Sequence, residues 1–308
     1  MILTGGNDKE VQFKELIKEI HNCKHQEECK ENGLLQPWKI SDQFAGLHDC
    51  DNPDLWSAWQ GNPDASIMIL GQDWGNTALY GKCVKSESVC HETRGTTNNN
   101  LIKLLKLVDP EHPVNGVPSG KQGNFYFGNS VLCIRKGKMQ GDAQQIWFNN
   151  CSEFLIKRLI IINPKIIIPL GEDTYRSILD ACDLHNKNSG SPIKIKYNLT
   201  EDCDISPTSY DRYLDLVMKG PIELTFTDSS MGTTSKTYVF PVFHCGSHSE
   251  FNRGAAEYCR EGRSPEERTQ MYLRYKKDKK RELLLKQKPE QLQENDWKRI
   301  AEWMSKHP

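Results

Sequence analysis

Ser66-Ile67-Met68-Ile69-Leu70-Gly71-Gln72-Asp73-Trp74-Gly75 is a short, unbroken apolar run that breaks at a glycine into a polar loop carrying a carboxylate. Bounded by Pro63 and Gly71, the run Ile67 to Leu70 suits a strand buried on both faces, as in a parallel sheet covered by helices. Phe240-Pro241-Val242-Phe243-His244-Cys245-Gly246-Ser247 repeats the pattern late in the chain, with an imidazole in place of the carboxylate. Loops at the carboxyl ends of strands form the ligand crevice of open α/β sheets. A carboxylate and a histidine meeting there point to hydrolytic chemistry.

Around these two runs the pattern alternates between helix and strand. Val11, Phe13, Leu16, Ile17 and Ile20 have near-helical spacing and predict a first helix ending near His21 to Cys23. A polar, turn-rich stretch follows to Asp64, and Trp74 to Thr97 reads as a long loop. Helices are expected over Asn98 to Val108, Ala143 to Ile162 and Asp173 to Cys182, and strands over Phe125 to Cys133, Lys165 to Leu170 and Tyr238 to Phe243. Asn186 to Ser235 reads as loops with a hairpin. Ser264-Pro265-Glu266-Glu267 combines a Ser cap, Pro at the first helical position and an acid at the third, so a helix starts there. A further short helix is expected over Asn295 to Ser305. The alternation predicts a three-layer α/β/α fold with a central, mostly parallel four-stranded sheet in residues 1–260, plus C-terminal helices in residues 261–308.

The chain has 308 residues and a formal net charge of -1, so any nucleic-acid contact would have to come from a local basic face. Met1 to Glu10 contains no apolar stretch resembling a signal peptide. Leu159 to Leu170 is interrupted by Asn163, Pro164 and Lys165 and is too short to span a bilayer. A soluble, cytoplasmic, monomeric protein with no membrane contact is expected. Eleven cysteines without a secretory signal argue against a disulfide scaffold and leave core thiols, a metal site or an iron–sulfur cluster.

Ile69-Leu70-Gly71-Gln72-Asp73-Trp74-Gly75 resembles the first motif of the uracil-DNA glycosylase superfamily, joining the Gly-Gln-Asp start of family 1 to the closing glycine of the family 4 loop. Asn129-Ser130-Val131-Leu132-Cys133, then Cys151, then Ile162-Asn163-Pro164-Lys165-Ile166-Ile167-Ile168-Pro169-Leu170-Gly171 is similar to a family 4 run of the same order. Phe243-His244-Cys245-Gly246-Ser247 resembles the family's His-Pro-Ser motif with an altered interior. The resemblance covers roughly residues 10 to 260 and rests on four motifs in order.

It implies a monofunctional DNA glycosylase that flips a pyrimidine nucleotide, hydrolyses its N-glycosidic bond and leaves an abasic site. Asp73 would orient a water and favour the sugar cation, while His244 would hydrogen-bond the pyrimidine O2 as charge develops there. Structural alternatives stand beside both: a strand-end turn cap for Asp73, and a packed histidine or a metal ligand beside Cys245 and His248 for His244. Asn129 would read the base edge through its donor and acceptor, or it simply terminates a strand. Gln72 shapes the loop, and Trp74 or Tyr80 would stack on the base. Arg135, Lys136, Ser247 and Arg253 are candidate phosphate contacts, and Lys138 is a further one. Cys23, Cys29, Cys133 and Cys151 match the family order for a [4Fe–4S] cluster, with zinc as the alternative and Cys50 as a possible replacement ligand. Five residues separate Cys23 from Cys29, where the family has two.

The stretch Glu92 to Asn100 lacks the aromatic that family 4 places there, and it follows a long insertion, Tyr80 to His91. A rebuilt pocket implies a modified or bulky pyrimidine, such as glucosylated hydroxymethylcytosine in phage DNA, and a role in antiviral defence; otherwise the substrate is uracil. The basic helix Ser264 to Lys286 either follows a DNA backbone or is a solvated face. A non-catalytic nucleic-acid-binding protein on the same fold and an unrelated metal-dependent hydrolase are the competing classes.

Overall fold

A computed structural model of the protein describes residues 6–40, 63–78, 96–110, 124–187, 190–198, 210–246, 249–262 and 264–307. In chain order the elements are α1 (Gly6–His21), α2 (Gln26–Glu31), β1 (Leu34–Leu35), α3 (Pro37–Ile40), β2 (Ile67–Gly71), α4 (Thr96–Val108), β3 (Phe125–Asn129) and β4 (Ile134–Arg135). They continue with α5 (Gln145–Ile162), β5 (Ile166–Pro169), α6 (Glu172–Lys187), β6 (Ile193–Tyr197), α7 (Tyr210–Lys219), β7 (Ile222–Asp228) and β8 (Thr233–Val239). Helices α8 (Ser249–Cys259), α9 (Pro265–Lys277) and α10 (Pro289–Lys306) close the chain, with a short 3-10 turn, Arg281–Leu284, between the last two.

The central sheet has six strands in the order β3-β2-β5-β8-β7-β6. The first four are parallel, and β7 and β6 continue the sheet in antiparallel fashion. The expected four-stranded parallel core is thus present and is widened by two strands from a region that read mostly as loops. Residues in β2, β3 and β5 alternate between two apolar layers. Met68, Leu70, Tyr126 and Ile167 face α1, α5, α6 and α7, whereas Ile67, Ile69, Phe125, Phe127, Ile166 and Ile168 face α4 and α10. Burial on both faces explains why these strands read as continuous apolar runs.

Because α4 follows β2 on one face and α6 follows β5 on the other, the chain parts between the carboxyl ends of β2 and β5. That divergence opens the crevice.

Local signals set several boundaries. Asn163 ends α5 in the left-handed conformation, φ 48°, with its N–H on the Leu159 carbonyl, and Pro164 prevents continuation. Ser264 Oγ caps α9 by accepting from the Glu267 N–H (3.2 Å), as its sequence predicts. Strand β3 stops at Asn129 rather than running to Cys133: the Ser130 N–H makes the last ladder bond, to the Gly71 carbonyl, and the Val131 N–H then follows the β2 loop onto the Gln72 carbonyl. Helix α10 begins at Pro289, earlier than expected, and buries Trp297 and Ile300 against α4 and the sheet. The expected loop after Trp74 lies outside the described residues beyond Ala78, up to 95. Among the described residues no helix is long and apolar enough to cross a membrane.

Candidate active site

The three ends of β2, β3 and the segment after β8 meet at one cleft of about 440 Å³. Gln72, Asp73 and Trp74 enter it from the β2 loop, Asn129 from the last position of β3, and His244 from the extension of β8. Thr97, Leu101 and residues 139–142 form further wall. The parallel register pairs Gly71 with Asn129 across the two strands, so the first two sites sit side by side. A methyl group at Gly71 would collide with Asn129 Oδ1, and glycine there is what allows the carboxamide to lie against the strand end. Asn129 is fully buried, and its carbonyl accepts from Arg158 Nη2 (2.5 Å) on α5.

Asp73 is held by two donors. Its Oδ1 accepts from the Gly75 N–H (2.7 Å), forming a local turn, and its Oδ2 accepts from Arg135 Nη2 (2.6 Å). Both side chains of this ion pair are nearly closed to solvent, at 7% for Asp73 and 8% for Arg135. Arg135 also donates to the Gly141 carbonyl (2.5 Å) and lies over the Trp147 ring, 5.1 Å from its centroid. Its expected phosphate contact is therefore corrected: the guanidinium points inward and is committed to Asp73. A carboxylate offers about four acceptor sites, so two remain for a water or substrate donor.

His244 lines the cleft and is exposed to solvent although protein surrounds it closely. Its Nδ1 accepts from the Gly246 N–H (2.9 Å), which places the ring proton on Nε2 and makes that atom a donor. Burial lowers the pKa of the ring, and the Asp73 carboxylate works in the opposite direction. A side chain at Gly246 would run into the His244 ring at 2.8 Å, so only glycine permits this N–H to reach Nδ1. The ring is thus neutral near pH 7, with a fixed tautomer.

Arg253 was a second expected phosphate contact, and it too turns inward. It is 2% exposed, and its guanidinium pairs with Asp296 (2.8 Å) and Glu257 (2.9 Å). Lys136 and Lys138 are exposed on the turn beside the cleft. Tyr80, Ser247, His248 and Cys50 lie outside the described residues. Trp74 is buried with an edge on the cleft, and among the described residues it is the one aromatic in the cleft wall.

Away from the cleft, Cys23, Cys29, Cys133 and Cys151 line a single small cavity between α1, α2, α5 and the turn after β3. All four are free thiols, and all but Cys23 are buried. Asn150 ties the helices together beside them, donating to Glu28 Oε2 (2.9 Å) and toward the Cys29 sulfur (3.8 Å). A hydrogen bond from Cys133 holds the Cys29 thiol below its ordinary range, and the same bond together with burial pushes Cys133 up. Burial pushes Cys151 up to about 12. Among the described residues no group of three or more His, Cys, Asp or Glu side chains is assembled as a site for one ion.

Several contributors escaped the sequence reading. Arg158 had a visible signal, since it is a charged residue on the apolar face formed by Phe154, Leu155, Leu159 and Ile162. Asn100, which donates to the Cys245 carbonyl (3.2 Å), and Gln293, which donates to the His244 carbonyl (3.3 Å), had none beyond being polar positions on amphipathic helices.

No curated protein matches the chain. A family model does. The model of the uracil DNA glycosylase superfamily matches residues 58–261, more than half of the chain and a span that includes every residue of the cleft, and the chain belongs to that superfamily.

Proposed function

We propose that the protein is a monofunctional DNA glycosylase that removes a flipped pyrimidine, most suitably a modified or bulky one, and leaves an abasic site. The superfamily's members are DNA glycosylases. The observation that carries the reading is the convergence of Asp73, Asn129 and a His244 ring with its Nε2 proton available on one cleft.

In this reading the His244 Nε2–H donates to the pyrimidine O2 as negative charge builds on the departing base. A neutral donor fixed before the reaction needs no reorganisation when the charge appears. Asp73 uses its two remaining acceptor positions to orient the attacking water and to place its carboxylate near the sugar cation. Arg135 keeps that carboxylate aimed, while offsetting part of its field. Asn129 presents a donor and an acceptor to the base edge, a pattern that rejects a base with the wrong arrangement.

A bulky substrate is supported by the cleft volume of about 440 Å³ and by its polar wall residues Gln72, Gln140 and Asp142. Lys136 and Lys138, exposed next to the cleft wall, would meet flanking phosphates.

The four cavity cysteines fit a [4Fe–4S] cluster in number and donor type, and their burial suits a solvent-shielded group. Such a cluster, when bound, would cross-link α1, α2, α5 and the turn after β3. It would supply no acid or base to the cleft. Zinc on the same thiolates is the competing occupant. A brown protein with broad visible absorbance and four irons per chain supports the cluster, and a colourless protein carrying zinc replaces it.

The function is tested by mass analysis of bases released from a panel of DNAs containing uracil, hydroxymethylcytosine and glucosylated hydroxymethylcytosine, with His244→Ala and Asp73→Ala as controls. Release that is lost in both variants supports the proposal. DNA binding without release from any substrate would favour the non-catalytic alternative.

A further inference from the structure

The histidine segment is anchored by three side chains that donate to its main-chain carbonyls. Tyr213 donates to Val242 (2.8 Å), Asn100 to Cys245 (3.2 Å) and Gln293 to His244 itself (3.3 Å). Tyr213 and Asn100 lie inside the superfamily match, whereas Gln293 belongs to α10, beyond its end at residue 261. Gln293 is 4% exposed on the inner face of that helix.

Three residues further along the same face, Asp296 grips Arg253 through contacts of 2.8 and 3.3 Å. The Arg253 guanidinium in turn lies over the Phe243 ring, 5.8 Å from its centroid. Helix α10 therefore reaches two consecutive residues: Phe243 through Arg253, and His244 directly. Trp297 and Ile300 share an apolar layer with Val242 and Cys245, which seats the helix against the same segment.

We propose that α10 is a positioning element of the active site, in which Gln293 fixes the His244 main chain and thereby sets the direction of the His244 Nε2–H. Its kinetic consequence rests on the glycosylase reading, but the positioning itself does not. The His244 side chain has one end on this backbone and is otherwise steered by the Gly246 N–H. Releasing the carbonyl frees the peptide to rotate, and small displacements of a reacting group are expensive in rate. A buried glutamine that only satisfies a carbonyl would contribute to stability alone.

The test is Gln293→Met, which keeps the size of the side chain and removes its donor, with Gln293→Leu as a second uncharged variant that also lacks the donor. The primary readout is NMR titration of the His244 ring, assigned by its loss in His244→Gln. Among the described residues, Asp73 and its partner Arg135, from the β2 loop and β4, and Arg253 with its partners Glu257 and Asp296, from α8 and α10, are charged groups around this segment, and neither variant alters them. The expected result is a His244 titration moved upward toward its ordinary value, with the other histidines unchanged. On a DNA substrate, kcat falls by about five- to tenfold with KM unchanged, the size of one lost hydrogen bond read at the chemical step.

An unmoved His244 titration in both folded variants overturns the proposal, as does a lowered melting temperature with unchanged kcat. If the wild-type protein releases no base from any DNA, the glycosylase reading fails while the ring titration still decides the positioning.

Discussion

The Asp73–Arg135 pair makes opposite demands on chemistry and stability, and two substitutions separate them. Asp73→Asn preserves shape and the acceptor for the Gly75 N–H, but removes the charge opposite Arg135. Loss of one preorganised electrostatic group at such a site costs about 100- to 1,000-fold in kcat, about 3 to 4 kcal/mol. The same change leaves Arg135 buried without its carboxylate. The Gly141 carbonyl and the Trp147 ring still face it, so the stability cost falls at or below the low end of the about 3 to 5 kcal/mol typical of a broken buried pair.

Arg135→Met reverses the emphasis. It strands Asp73 with a single donor and also loses the cation–π contact, so its stability cost reaches the full range and the melting temperature drops by several degrees. Combining the two substitutions removes both charges, and the double variant is expected to be more stable than the sum of the single losses by about 1 to 3 kcal/mol. Denaturant unfolding measures the stabilities, and single-turnover abasic-site formation, corrected for folded fraction, measures the chemistry. Additive stability losses would refute the pairing. A wild-type rate in Asp73→Asn would refute the assignment of Asp73 to the reaction.

Four further outcomes are expected. Activity should decline on acidification with an apparent pKa below the ordinary histidine value of about 6.5, because burial lowers the His244 pKa and protonation removes the Nδ1 acceptor; a pH–rate profile checks this. For stability the sign is the same: the unfolded chain takes up this proton first as pH falls, so its contribution is intact above the unfolded pKa and is lost between the unfolded and the folded values. Gly246→Ala should lower kcat by at least about tenfold with little change in KM, since the added carbon meets the His244 ring at 2.8 Å. Neutralising Lys276, Lys277, Lys279 and Lys280, all exposed around the end of α9, should flatten the salt dependence of DNA affinity by about 0.9 in log–log slope for each phosphate contact removed, measured by fluorescence anisotropy; an unchanged slope assigns them to solvent. Gln140→Ala and Asp142→Asn, in the cleft wall, should change KM and the preference among modified bases by more than they change kcat on the best substrate, as measured on the base-release panel.

What could be read from the sequence divides along physical lines. Ile67 to Leu70 announced a doubly covered strand because both faces of a central parallel strand must be apolar, and Ser264 announced a helix because its cap chemistry is local. The residues 186–235 were harder. Ile193-Lys194-Ile195-Lys196-Tyr197 alternates as a half-exposed strand does, but at five residues it carries little signal without its partner β7. The order of Asp73, Asn129, Cys133, Cys151 and His244 was legible through motif resemblance, whereas the partners of those residues were not. Arg135 and Arg253 illustrate the reason. A cation next to a functional motif reads the same whether it faces a phosphate or a buried carboxylate, and only the long-range partners, Asp73 and Asp296, decide which.

The division of labour in the cleft follows from where each part is attached. Asp73 and Asn129 project from the ends of β2 and β3, which are paired in parallel up to Gly71 and Asn129, and His244 follows a segment that bridges to Leu170 at the end of β5. Their mutual distances are set by strand register, which cannot slip without turning every apolar side chain to the wrong layer. The wall, in contrast, comes from the start of α4 and from residues 139–142, which lie outside the sheet. On the proposed reading, a fold built this way can change which base enters while keeping Asp73 and His244 in place. Helix α10 extends the rigid part: by holding His244 from outside the superfamily match, it adds a support that the strand register alone does not supply.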